Sequence, residues 1–95
     1  MSLTLSVASV LLIAIPLFGT RISPRFDYAE TCMIVDIQEG NVVNKEIISP
    51  VGLSIWDRIR KLVDLGVNAV ICGGIDIMSV RQLAFHGIRV YSWVT

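Results

Sequence analysis

The chain has 95 residues, enough for one domain with a small core. Its apolar share of 54% lies slightly above the ordinary soluble level of about 45–50%. Eight Lys plus Arg balance eight Asp plus Glu, and zero net charge excludes the broad basic field that nonspecific nucleic-acid or anionic-membrane binding requires.

The apolar surplus sits at the amino end, where no ionisable side chain occurs before Arg21. A signal peptide needs a positive n-region, which is missing. A membrane span needs about 20 mostly apolar residues, and Ser2, Thr4, Ser6, Ser9 and Pro16 interrupt this stretch. Residues 1–9 are therefore read as an extension or tag remnant, residues 10–95 as one domain, and no membrane partner is expected. Cys32 and Cys72 are too few for a disulfide scaffold, and each lies in an apolar run. A reducing cytoplasm is the expected compartment.

In chain order, Val10 to Ile15 is a continuous apolar run, which suits a central strand covered on both faces. Residues 16–30 read as a long loop marked by Gly19, Pro24 and four charges. Thr31 to Ile37 and Val42 to Ile48 read as two strands. The turn Glu39-Gly40-Asn41 between them predicts an antiparallel hairpin. Ser54, with Asp57 three residues on, predicts a capped helix ending at Gly66, with Ile55, Ile59, Leu62 and Val63 on its buried face.

Val67 to Cys72 then predicts a strand, Gly73-Gly74 a turn, and Asp76 to His86 a helix buried through Ile77, Val80 and Ala84, with Leu83 beside them. Ile88 to Val94 predicts the last strand. A strand–helix–strand unit this short implies two parallel neighbours. The order β-β-β-α-β-α-β predicts an α/β fold with a mixed sheet and packed helices.

The turn Cys72-Gly73-Gly74 falls at the carboxyl end of a strand, where open α/β sheets place ligands. It matches neither G-x-G-x-x-G nor a P-loop, and Asp76 would repel a phosphate. Cys72 and His86 stand at opposite ends of one helix, roughly 15–20 Å apart, too far for a nucleophile–base pair. No serine sits in a nucleophile elbow, and Asp36 with Asp76 does not make a two-metal site. No catalysis is expected. A single cysteine cannot hold a cluster that usually takes four thiolates. Cys72 reads as a ligand or as a packed thiol, Cys32 as a small buried hydrophobe, and His86 as a helix-end residue. Arg21 and Arg25 flank Ser23-Pro24. They either grip an anion or pair with Asp27 and Glu30.

Taken together, Ile13-Ala-Ile-Pro16, Gly19-x-x-Ile-Ser-Pro-x-Phe-Asp27, Ile34-Val-Asp36, Leu65-Gly-Val-x-Ala-Val-Ile-Cys-Gly-Gly74 and Gly87-Ile-x-Val90 resemble the dinitrogenase iron–molybdenum cofactor biosynthesis family. The similarity runs from about residue 12 to 94. It implies a three-layer ribonuclease-H-like fold with a mixed five-stranded sheet. It also implies a non-catalytic binder or carrier of an iron–sulfur or iron–molybdenum-type cofactor or precursor. The expected partners are that metal cofactor and a cofactor-assembly or acceptor protein, with a homo-oligomer as a further expectation. Family members usually continue into a glycine and a final helix, so a missing C-terminal helix is expected. No family histidine ligand carries over to His86.

On this reading Ser23, Arg25, Cys72, Gly73 and Gly74 form the cofactor site. Cys72 is the candidate metal ligand, and the N–H groups of Gly73 and Gly74 face the cofactor's negative charge. The competing reading is a regulatory or protein-interaction domain of the same fold that binds no metal.

Overall fold

The computed structural model describes residues 10–94. The extension expected over residues 1–9 lies outside the described residues. The observed strands are β1 (Val10–Phe18), β2 (Arg21–Ile22), β3 (Thr31–Gln38), β4 (Asn41–Ile48), β5 (Ala69–Ile71) and β6 (Arg89–Tyr91). The helices are α1 (Ile55–Leu65) and α2 (Ile77–Phe85), with a 3-10 turn at Phe26–Tyr28. The sheet is mixed, in the order β4-β3-β1-β5-β6, and β2 pairs β1 off this path. The expected five strands thus form the main path, and β2 is a sixth. The parallel β5–β6 pair is as expected from the strand–helix–strand unit.

β1 runs three residues beyond the predicted end and carries Pro16 in its ladder opposite Cys32. Pro16 is tolerated because its carbonyl accepts from the Ser23 N–H at 2.9 Å, on the side away from β3. A strand residue points its N–H and C=O the same way, so the missing donor takes no bond from the β1–β3 ladder. Gly19, at φ 65°, then opens a two-residue turn into β2. The predicted long loop is therefore partly hairpin.

The β3–β4 hairpin turns at Glu39 (φ 53°) and Gly40 (φ 81°), the two positive angles of a I′ turn. α1 begins as predicted, with the Ser54 Oγ accepting from the Asp57 N–H at 3.2 Å. It ends at Gly66 in the left-handed region.

Ala14, Cys32, Ile34 and Val70 point from the sheet into one core with Ile59 and Leu62 of α1 and Leu83 of α2. These strand positions share one parity, and α1 and α2 touch each other, so both helices cover the same sheet face. The opposite parity holds Val35, which is buried, and Ile13, Ile15, Leu17, Met33, Ile37 and Ile71, all half-buried. Among the described residues the fold is thus two-layered, and the expected third layer is not among them.

One helix face also differs from expectation. α2 buries Ser79 and Leu83, whereas Ile77 and Ala84 are exposed. Asp76 is the cause. Its carboxylate accepts from the Ser79 N–H at 3.0 Å and the Ser79 Oγ–H at 2.6 Å. With its hydroxyl satisfied, Ser79 can occupy a core position, and Leu83, four residues on, follows it inward.

Candidate functional site

The loop Ser23–Arg25 presses against the turn Gly73–Gly74. The Gly74 N–H donates to the Pro24 carbonyl at 2.7 Å, and the Phe26 N–H donates to the Gly74 carbonyl at 2.8 Å. This makes a short parallel bridge between Arg25 and Gly74. The buried Phe26 ring anchors the loop in the core. A Cβ on Gly73 would collide with the Ser23 carbonyl oxygen and lie 2.8 Å from the Pro24 oxygen. Glycine is required there for close backbone approach. Sequence reasoning set these two segments side by side, and the structure joins them.

The five predicted site residues divide. Gly73 and Gly74 line a groove of about 760 Å3. The N–H of Gly74 is already committed to Pro24, so it does not face a ligand as expected. Ser23 is buried, and its Oγ donates to the Arg25 carbonyl at 2.7 Å and accepts from the Arg25 N–H at 3.3 Å. Its hydroxyl shapes the loop. Arg25 forms a two-pronged pair with Asp27, at 3.1 Å from Nε and 2.8 Å from its terminal nitrogen. Its guanidinium also stacks 4.0 Å from the centroid of the Tyr28 ring. Asp27 hydrogen bonding is the main cause of the raised Arg25 pKa. Of the two readings given to the arginines, Arg25 follows the paired one.

Cys72 is 0% exposed and belongs to the core with Val70, two residues before it. Burial pushes its thiol up to about 11, and that of Cys32 up to about 12. The structure places Cys72 on the core side of the turn, away from the groove lining. The alternating strand direction that buries Val70 buries the thiol too, so the metal-ligand expectation for Cys72 does not match its position.

The groove joins Arg21 and Pro24, named from the sequence, to residues that sequence reasoning did not single out. Phe18, Gly19, Thr20, Arg21, Ile22 and Pro24 form one wall, and Trp93 and Val94 close the other beside Gly73 and Gly74. The Trp93 N–H donates to the Gly73 carbonyl at 2.9 Å, and the Val94 N–H donates to the Cys72 carbonyl at 3.0 Å. The chain end is thereby tied across the turn. No local pattern in the sequence marks Phe18 or Trp93 as a groove residue: Phe18 falls in the predicted loop 16–30, and Trp93 in the strand predicted over Ile88 to Val94.

Arg21 is the one charged residue of the lining. No cysteine, histidine, aspartate or glutamate lines the groove, and no cluster of three such residues able to hold a metal exists among the described residues. Such a site can take an anion that brings its own ligands. It cannot build a coordination sphere from side chains.

A mixed sheet with helices packed on one face and a groove at a strand's carboxyl end define a small α/β domain. The chain belongs to the dinitrogenase iron-molybdenum cofactor family, whose model matches residues 9–94. It is 33% identical over 84 residues to the protein MJ0580 of Methanocaldococcus jannaschii, covering 83% of this chain and 71% of that one. Among solved structures, PH0822 superimposes with a TM-score of 0.79 at 25% identity, covering 86% of this chain and 78% of the other. The apo form of the orange protein from Desulfovibrio gigas gives a TM-score of 0.71 at 19% identity, with 85% and 73% coverage, and shows likeness of fold alone. The chain is a small protein of a cofactor-related family, and among the described residues no helix is long and apolar enough to cross a membrane.

Proposed function

We propose that this chain is a non-catalytic carrier of a preassembled, anionic metal–sulfide cofactor or precursor, passed on to an acceptor protein. The observation that carries this reading is the groove between Phe18–Pro24 and Gly73–Gly74, with Arg21 as its cation and no acidic side chain in its lining. The family supplies the ligand class. Cargo of this kind is already ligated by inorganic sulfide, which fits a lining without thiolate or imidazole. Arg21 supplies charge, the glycine turn allows close approach, and Phe18 and Val94 give the groove apolar flanks. Two free, buried thiols suit a reducing compartment.

The test is retention. The chain is incubated anaerobically with ferrous iron and sulfide, or with tetrathiomolybdate, then desalted and analysed for metal. Wild type is expected to retain metal. Arg21→Gln is expected to weaken retention roughly five- to tenfold, the loss of one charge-assisted contact. Arg25→Gln leaves it unchanged, because that guanidinium is engaged by Asp27. A wild-type chain that elutes metal-free sinks the proposal.

The buried position of Cys72 favours a second reading, a regulatory or interaction domain without metal. On that reading Arg21→Gln changes no metal content, and partner capture survives chelation.

A further inference from the structure

Trp93 is the residue of the groove with the least usual backbone conformation. It has φ 63°, in the left-handed region that a side chain with a Cβ disfavours. Its indole is 76% exposed, although it is among the largest apolar groups in the chain. Two backbone hydrogen bonds, from Trp93 to Gly73 and from Val94 to Cys72, hold this geometry. The Cη2 and Cζ3 edge of the ring stands over Gly74, where an added Cβ would come within 3.3 Å. Phe18, 52% exposed, and Arg21 line the same groove.

A strained backbone and an uncovered indole both count against the folded chain by itself. A ligand filling the groove would cover the indole, and strain of this kind gathers where ligands are held. We propose that Trp93 contacts the cargo directly, its indole forming the wall against which a soft, sulfide-bearing anion rests. Gly74 is glycine so that the ring can lie across the turn. This inference rests on the carrier reading and assigns a residue to it. The chemistry is that of polarisable sulfur against an aromatic side chain. Arg21 carries the counter-charge, and Trp93 supplies shape and polarisable surface.

The experiment separates this role from the carrier function. The chain holds two tryptophans, and Trp56 does not line the groove. Trp56→Phe therefore leaves Trp93 as the sole indole. Anaerobic titration with ammonium tetrathiomolybdate is expected to quench its emission saturably, beyond the effect on free N-acetyltryptophanamide. In the otherwise wild-type chain, Trp93→Gly removes both the indole and the backbone strain. It is expected to melt within a few degrees of wild type while retaining metal about tenfold more weakly. Trp93→Phe, which keeps an aromatic edge, restores most of the retention.

Retained metal with unmoved Trp93 emission, or with Trp93→Gly binding as wild type does, overturns the role of Trp93 and leaves the carrier reading standing. A large fall in Tm for Trp93→Gly also overturns it, since the ring would then be a structural prop. A wild-type chain that retains no metal removes both readings together.

Discussion

Replacing Gly73 by alanine should separate the Ser23–Arg25 loop from the sheet. The added methyl meets three backbone atoms: the Ser23 oxygen, the Pro24 oxygen at 2.8 Å and the Pro24 carbon at 2.9 Å. None can rotate aside as a side chain would, so the loop must lift. The bonds at stake are Gly74 N–H to Pro24 at 2.7 Å and Phe26 N–H to Gly74 at 2.8 Å. Each contributes roughly 1 kcal/mol net, and overpacking adds about 1–2 kcal/mol. The expected loss is about 3–4 kcal/mol, or a Tm lower by roughly 12–32 °C for a domain of this size. Gly74→Ala is the graded control. Its methyl would sit 3.1 Å from the Pro24 oxygen and 3.3 Å from the Trp93 ring, and the exposed ring can swing away. About 1 kcal/mol is expected there. Thermal melts of the three chains, with amide exchange at Phe26 and Gly74, decide the matter. A Gly73→Ala protein that melts within two or three degrees of wild type, with both amides still protected, would refute the close-approach argument.

Two further outcomes follow from the structure. Both thiols have raised folded pKa values, about 12 for Cys32 and about 11 for Cys72, against 9.0 for an ordinary thiol, chiefly through burial. The unfolded chain therefore releases thiol protons first, so stability holds below pH 9 and falls as pH rises from 9 toward 12, by at most about 1.4 kcal/mol per pH unit per thiol. Urea midpoints across that range should decline more steeply for wild type than for the Cys32→Ala/Cys72→Ala chain, and equal slopes would contradict the assignment. In the β3–β4 turn, Glu39→Asn places a residue tolerant of positive φ before Gly40. It should add about 0.5–1 kcal/mol and raise Tm by roughly 2–8 °C. No gain would mean that Glu39 is not strained in solution.

Much of the architecture was written locally. The caps at Ser54 and Asp76, the left-handed stop at Gly66 and the Glu39-Gly40 hairpin each depend on a few neighbouring residues. They are legible because capping and turn chemistry act over three or four positions. The five main strands and two helices followed from that punctuation. The family motifs did the rest by fixing which elements share a sheet.

Tertiary structure decided what each site residue does. Cys72 and Gly73 are adjacent in sequence, yet the thiol enters the core while the glycine lies beside the groove. That division depends on which sheet face α1 and α2 cover, and no local pattern states it. The apolar run Val10 to Ile15 predicts cover on both faces, but among the described residues the helices cover one. Arg21 and Arg25 look equivalent around Ser23-Pro24, until the loop's 3-10 turn brings Asp27 and Tyr28 to Arg25 alone. Trp93 reached the groove because the chain after β6 folds back over Gly73 and Cys72 through long-range backbone bonds. Short-range chemistry makes elements and sets the Arg25–Asp27 pair, whereas the Trp93–Gly73, Val94–Cys72 and Gly74–Pro24 bonds join residues 20 to 50 positions apart, so only the packed fold could make them.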